Sequence, residues 1–359
     1  MKLARFDLYR YGLPFSRPLT LGSITRFQRE GLLLKLSGDD GSEGWGETAP
    51  LPGFSVEGLV DATAQLRRLA ASMIGREVRE DWVDPYGEFG GELDRVAPSV
   101  RFGFELAVWN LYAASSGRTL PEVVTPFPRA VVPVNGLLEG SRADVLVEAR
   151  RMRDEGYRSL KLKVGTRTVA EEVALVGALG EELDEGISLR LDANRAWGYE
   201  EAAEFAGGTA GVRFEYVEEP LADPARLPDF VREFGVPVAL DESLVGKELE
   251  ELEAFAVAFV LKPMLLGGIS RTLRVAGRAH RLGVTPVISS AYESGVGTAA
   301  LVALAAGIGD RPVPAGLDTY RAIAEDVLET PLKLPAPGVD VRETADASRT
   351  IDVRRLERL

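Results

Sequence analysis

The chain has no cysteine and a single histidine among its 359 residues. The first absence excludes disulfides, thiolate zinc sites and cysteine nucleophiles. The second removes multi-histidine metal sites and weighs against a Ser-His-Asp triad. Lysine is scarce as well. Of the 42 basic residues only seven are lysine (Lys2, Lys35, Lys161, Lys163, Lys247, Lys262 and Lys333), and the rest are arginine. Positive charge as a whole is short: 55 acidic residues leave a net charge of -13. That balance argues against nucleic acid or an anionic membrane as partner, since both require a basic patch. Long hydrophobic runs are missing too. The longest apolar stretch, Gly295 to Gly309, has 15 residues, four of them glycine, against the roughly 18–20 that span a bilayer. The start, Met1-Lys2-Leu3-Ala4-Arg5-Phe6-Asp7, carries charges where a signal peptide needs an apolar core. The expectation is a soluble cytoplasmic protein, monomer or homo-oligomer, acting on a small molecule.

What is present is a large core: 45% of residues are hydrophobic, and the length suits two domains, or one barrel with a smaller unit. Residues 1–100 read as a separate α+β unit. Arg5–Tyr11 and Gly31–Leu36 read as strands, Asp39-Asp40-Gly41 as a turn, and Glu43–Thr48 as the return strand. Helical spacing follows in Leu59, Ala62, Leu66 and Leu69 after Ser55, and a second helix is expected over Ser99–Ala114. Leu13 to Gln28, with Pro14, Pro18 and Gly22, reads as a long loop of the kind used as a lid.

From Val131 the texture changes. Eight short apolar runs end at Gly136, Lys163, Asp192, Glu218, Asp241, Lys262, Ser289 and Asp318, at intervals of 21 to 29 residues. A strand, a helix and two short loops fill such an interval. Eight βα units imply an α/β chain whose residues 101–320 form a (β/α)8-type barrel. A doubly wound open sheet is the structural alternative, but no G-x-G-x-x-G follows the first strand.

Buried parallel strands should be apolar on both faces. Several of these break that rule at their C-terminal ends, where barrel enzymes build their sites. Strand 2 ends with Lys161 and Lys163, which share a face; strand 3 with Asp192 and Asn194; strand 4 with Glu218 and Glu219; strand 5 with Asp241 and Glu242; strand 6 with Lys262. Three carboxylates from adjacent strands cannot share a low-dielectric mouth unless a cation neutralises them or they take up protons. A hard divalent cation with oxygen ligands is the simplest neutraliser. Lysine, unlike arginine, can lose its proton where burial and positive neighbours depress its pKa. The pattern reads as base catalysis beside a metal that binds a substrate carboxylate.

Leu160-Lys161-Leu162-Lys163, Leu191-Asp192-Ala193-Asn194, Val217-Glu218-Glu219-Pro220, Leu240-Asp241-Glu242-Ser243 and Leu261-Lys262-Pro263 together resemble the enolase superfamily, in its muconate-lactonizing subgroup. That superfamily uses a lysine or histidine base beside Mg²⁺, and the resemblance implies that residues 1–100 cap the barrel and that 321–359 form a C-terminal segment returning to the cap. Gly44-Trp45-Gly46-Glu47, Pro50-Leu51-Pro52-Gly53-Phe54-Ser55, Pro98-Ser99-Val100-Arg101-Phe102-Gly103, Ile288-Ser289-Ser290-Ala291-Tyr292-Glu293-Ser294 and Gly316-Leu317-Asp318-Thr319 are similar to one dehydratase branch of it. That branch aromatises a cyclohexadiene carboxylate bearing a succinyl arm. The resemblance implies Mg²⁺, with Mn²⁺ as a substitute, on Asp192, Glu218 and Asp241. It implies Lys163 as base and then acid, Lys161 as added positive charge, and Lys262 opposite them stabilising the intermediate by charge and a cation–π contact. Ser289, Ser290, Gly295 and Asn194 are expected to contact substrate, and Gly297 follows in the same turn. The Leu13–Gln28 loop and Pro52-Gly53-Phe54 are expected to close over it.

Racemases of N-acylamino acids and dipeptide epimerases of the superfamily share the opposed lysines. The epimerases usually carry Asp-x-Asp after strand 8, where this chain has Leu317-Asp318-Thr319-Tyr320. Sugar-acid dehydratases use a histidine base, whereas His280 falls in the helical stretch Ile269–Arg281. A Schiff-base aldolase leaves the three acids unexplained, and a non-catalytic binding or scaffold protein predicts no loss of any activity when Lys163 becomes Ala.

Overall fold

The computed structural model describes residues 1–21, 24–87 and 91–359. Strands β1 (Leu3–Leu21), β2 (Ile24–Gly38) and β3 (Glu43–Thr48) form an antiparallel meander. The Asp39–Ser42 turn closes with Gly38 N–H donating to Ser42 O at 2.9 Å, and Gly41 supplies the left-handed φ of 84°. Helices Leu59–Met73 and Pro98–Ser115 cover one face of this sheet. Both faces of β2 are buried. Leu32, Leu34 and Leu36 pack with Leu66, Leu69, Phe104 and Leu111 in the cap's own core, while Leu33 turns into the main core. The Pro98–Ser115 helix likewise sends Phe104 and Val108 to the first core and Phe102, Leu106 and Trp109 to the second. The boundary drawn at residue 100 therefore falls inside a helix that both units share.

The hairpin arms correct one expectation. Leu13–Gln28 is not a long loop: β1 and β2 stay paired from Tyr11↔Gly31 to Pro14↔Gln28 and again at Leu19↔Arg26. The prolines that signalled a loop sit at a register irregularity between Pro14 and Leu19, which absorbs the missing N–H donors. Gly22 lies outside the described residues.

The second unit carries β4 (Val131–Pro133), β5 (Gly136–Leu138), β6 (Ser159–Lys163), β7 (Ser188–Asp192), β8 (Tyr216–Glu218), β9 (Val238–Leu240), β10 (Ala258–Leu261) and β11 (Thr285–Ile288). Strands β5 to β11 form one parallel sheet in sequence order, and helices alternate with them along the chain. The eighth run, Val313–Asp318, is not a regular strand. Single parallel bridges join Val134 to Ala315 and Ser289 to Gly316, so this segment spans the gap between the two edges of the sheet. Pro314, which has no N–H to donate, interrupts the pairing of this segment. The first run also divides: β4 pairs antiparallel with β12 (Gly338–Asp340), and only β5 joins the barrel. The C-terminal segment ends at β13 (Glu357–Arg358), paired with β1 of the cap. Among the described residues no helix is long and apolar enough to cross a membrane. The Gly295–Gly307 helix is buried along nearly its whole length.

Candidate active site

Strand register sets the site's layers. Lys163, Asp192 and Glu218 are Cα partners across β6, β7 and β8, with Lys161, Arg190 and Tyr216 one layer deeper. The deeper layer is a polar floor. Arg190, 1% exposed, donates to Glu215 and to Pro314 O at 2.7 Å, and its guanidinium lies over the Tyr216 ring. Arg190 and Tyr216 carried no assignment from sequence, although period two places them directly beneath the site.

From the deeper layer Lys161 reaches up to the acids, with Nζ 2.9 Å from Asp192 Oδ2 and 2.8 Å from Glu218 Oε2. Lys262, from the far side of the sheet, bonds Asp241 Oδ2. Lys163 instead donates to Asn194 Oδ1 and stands 3.4 Å from Asp192 Oδ2. Its side chain is 35% exposed, against 11% for Lys161 and 13% for Lys262. Lys163 is thus the lysine that faces the cavity most freely.

Asp192, Glu218 and Asp241 are all buried. Burial pushes the Glu218 carboxyl up to about 7, reinforced by the Asp192 and Asp241 charges and opposed by Lys161. Burial pushes Asp241 up to about 6 against the Lys262 ammonium. Asp192 is held low: Lys161, Lys163 and Lys262 together outweigh the burial that raises it. The same carboxylates hold Lys161 and Lys262 above the usual lysine range in spite of burial. The lysines therefore do not compensate the three acids fully. Among the described residues no three acids are arranged as a ready cage, because lysine ammoniums take the inward oxygens. Three all-oxygen donors with uncompensated charge fit a hard divalent cation.

Glu219 has a different occupation from Glu218. It accepts from Asp241 N at 2.9 Å, Ser243 N at 2.7 Å, Ser243 Oγ at 2.8 Å and Arg195 Nε at 3.1 Å. Both of its oxygens are used inside the protein, where they fix the backbone on either side of Glu242. Asn194 (φ 42°), Arg195 (φ 60°) and Glu219 (φ 42°) all hold left-handed backbone, the strain that clusters at functional sites.

The cavity above the acids is lined by Lys161, Lys163, Asp192, Asn194 and Lys262, together with Ser289 and Ser290. Leu51 and Phe54 from the cap and Tyr292 from the loop after β11 also line it. Ser290 Oγ is engaged by Glu293 at 2.6 Å and accepts from Tyr292 N at 3.0 Å. A second cavity of about 260 Å³ shares Leu137, Tyr292, Asp318 and Thr319 with it and runs out beneath the hairpin at Ser16 and Arg17. Tyr292 and Thr319 stand in the resemblance motifs without an assigned role there, and Asn135 and Leu137 flank the end of the first apolar run at Gly136.

Gly295 requires a correction. Its N–H is bound by Asp326 Oδ1 at 2.9 Å, and a Cβ there would meet Asp326 and Leu328. It does not line the cavity. Gly297 N–H donates at 2.7 Å to Glu47 Oε2, whose carboxylate also takes Ser294 N and Ser294 Oγ. The anion site at this helix N-terminus exists, but two carboxylates of the chain itself fill it.

Fold and site together define a barrel enzyme of the enolase type. Residues 144–345 match the model described as enolase C-terminal domain-like, and residues 3–111 match the MenC N-terminal domain. The o-succinylbenzoate synthase of Pectobacterium atrosepticum is 32% identical, over 91% of this chain and 94% of its own. The chloroplastic protein PHYLLO of Arabidopsis thaliana is 33% identical over 97% of this chain, which spans only 23% of that much longer protein. Muconate lactonizing enzyme from Pseudomonas fluorescens shares the fold at 23% identity and a TM-score of 0.85, over 99% of this chain and 98% of its own. N-succinyl Arg/Lys racemase from Bacillus cereus does so at 18% identity and a TM-score of 0.82, over the whole of both chains. The chain belongs to the o-succinylbenzoate synthase family of the enolase superfamily and is an enzyme of the lyase class.

Proposed function

We propose that the chain catalyses the syn dehydration of 2-succinyl-6-hydroxy-2,4-cyclohexadiene-1-carboxylate to 2-succinylbenzoate, in menaquinone biosynthesis. The observation that carries this reading is Lys163 and Lys262 facing one cavity from β6 and from the end of β10, above three adjoining buried carboxylates. Asp192, Glu218 and Asp241 would hold Mg²⁺ (or Mn²⁺), whose chemistry when bound is Lewis-acid stabilisation of a carboxylate losing its α-proton.

The rest falls to side chains. Lys163, as the neutral amine, takes the proton α to the ring carboxylate, and the electron pair moves into that carboxylate as an enolate. The pair then returns to form the new ring double bond as the neighbouring C–O bond breaks. Lys163, now an ammonium, gives its proton to the departing hydroxide, which leaves as water. One group serving both steps acts from one face, so the elimination is syn. Lys161 and Lys262 are held above the usual lysine range by the acids beside them. They supply fixed positive charge where the enolate forms, and Lys262 offers a cation–π contact to the ring becoming aromatic. Phe54 and Leu51 exclude water from above.

The test is an assay of the purified protein with this substrate and with an N-succinylamino acid, each with Mg²⁺ and with a chelator. Dehydration that needs the metal and outpaces racemisation is the expected result. Racemisation much the faster would make the protein an N-acylamino acid racemase. Activity surviving the chelator, with borohydride trapping substrate on lysine, would make it a Schiff-base enzyme. A dipeptide epimerase is disfavoured by Asp318, which accepts from Leu137 N at 2.8 Å and pairs with Arg321, leaving no free Asp-x-Asp for a peptide ammonium.

A further inference from the structure

We infer that Arg29 is a positioning residue of the active site, a clamp that holds one roof segment from the cap and one from the barrel in a single geometry. Arg29 lies in β2 and is 3% exposed. All its hydrogen bonds go to main-chain carbonyls. Nη1 donates to Pro50 O at 2.7 Å and to Glu30 O at 3.4 Å; Nη2 donates to Ala49 O and, at 3.4 Å, to Ala291 O; Nε donates to Tyr292 O at 2.9 Å. Ala49 and Pro50 lead into Leu51 and Phe54, and Ala291 and Tyr292 line the same cavity from the barrel side. One guanidinium therefore grips the two segments whose side chains form the roof.

Burying a guanidinium is costly unless its donors are satisfied. Here they are satisfied by groups from two units, which needs the rigid five-donor fork that lysine lacks. A second observation points the same way. Tyr292 holds a left-handed φ of 63°, a conformation that persists in a non-glycine residue only where its surroundings over-determine it. Its N–H is held by Ser290 Oγ and its carbonyl by Arg29 Nε. Its ring meets Phe15 of the hairpin edge-on, with centroids 6.0 Å apart. Release of the Tyr292 carbonyl frees that backbone to relax and carries the ring away from both Phe15 and the cavity. The consequence for turnover rests on the proposed reaction; the clamp itself does not.

The experiment uses the full chain with Arg29→Met, which fills the volume without donors, and Arg29→Lys, which restores part of them. Glu105→Gln is the control, because Glu105 makes a different cap–barrel contact, to Ser270 N at 2.9 Å, away from the roof. Hydrogen exchange in segments 49–55 and 289–294 should accelerate together by about tenfold or more in Arg29→Met, with strands 159–163 and 188–192 unchanged. Arg29→Lys should fall between, and Glu105→Gln should leave both roof segments protected. In the dehydration assay kcat/KM of Arg29→Met should fall about 10–100-fold, while Mn²⁺ affinity measured by electron paramagnetic resonance stays unchanged. Protection retained at either roof segment, or lost evenly across the barrel, overturns the clamp. Because exchange is read on the protein alone, a wild-type chain that fails to dehydrate would sink the functional reading without touching this one.

Discussion

Lys163 differs from its two neighbours in what it touches. Lys161 and Lys262 hold close bonds to carboxylates, which raise their pKa, whereas Lys163 donates to an amide oxygen, stands farther from Asp192 at 3.4 Å and is the most exposed of the three. Lys163→Ala should lower kcat by about 10²–10⁴-fold, the usual contribution of a positioned base, with the circular dichroism spectrum unchanged. Lys163→Arg should be no better, because arginine keeps its proton; substantial turnover in that variant would remove Lys163 from the role of base. Glu219 shows the other kind of site residue. It holds the backbone of Asp241 and Ser243, so Glu219→Gln should weaken Mg²⁺ binding about 10–100-fold, as loss of an outer partner of a ligand does. Calorimetric titration measures this, and excess metal should restore most of kcat. The family resemblance names Glu218, and not Glu219, among the metal ligands. What it could not supply was the use of Glu219, since its donors at Asp241 and Ser243 depend on how the chain turns after β9.

The elements that were easy to read are those whose burial is two-sided. Strands β6 to β11 appear as apolar runs because both faces are covered, and the polar residues that interrupt them mark the mouth of the barrel. The eighth run has the same composition but forms only bridges, and periodicity alone does not distinguish the two. The Leu13–Gln28 segment was misread for a related reason: proline and glycine mark irregular backbone, and an irregularity inside a long hairpin gives the same local signal as a loop. The helix N-terminus at Gly295 was open to misreading because its partners, Glu47 and Asp326, lie 250 and 31 residues away in the bonds they make. The Gly44-Trp45-Gly46-Glu47 motif now has a packing explanation. A Cβ on Gly46 would sit 1.9 Å from Gly103 O and 2.7 Å from Ala107 N, so β3 and the Pro98–Ser115 helix touch backbone to backbone. Gly46→Ala should therefore destabilise by about 2–3 kcal/mol or more, at the upper end for overpacking. It should also displace Glu47 from the helix it caps. Thermal unfolding checks the first effect, and a variant as stable as the parent would contradict this close approach.

On the scale of the whole molecule, the buried carboxylates make stability a function of pH and metal together. Glu218 and Asp241 sit at about 7 and about 6 in the folded protein, against ordinary values of 4.5 and 3.8. Glu47, Glu105 and Glu293 are also raised, by burial first. Between their ordinary and folded values, the native state binds more protons than the unfolded chain, so stability falls as pH rises through that window. Asp192 works in the other sense. Held below 3.8, it contributes stability that is complete above that value and is lost only in stronger acid, so it does not flatten the fall near neutrality. In chelator, the melting temperature should drop by a few degrees between about pH 5 and pH 7.5. A divalent cation reverses this, because it binds the ionised acids and its affinity grows as they lose protons. With saturating Mg²⁺ the melting temperature should therefore stay level or rise over the same interval, by the usual linkage of ligand binding to the native state. Glu218→Gln separates the site from the other buried acids. It should flatten the chelated profile in part, since the fall due to Asp241, Glu47, Glu105 and Glu293 remains, and it should reduce the Mg²⁺-induced gain. A profile in chelator that does not decline, or a decline that Glu218→Gln and Mg²⁺ both leave untouched, would show that the three acids at the barrel mouth are not the uncompensated cluster their surroundings make them.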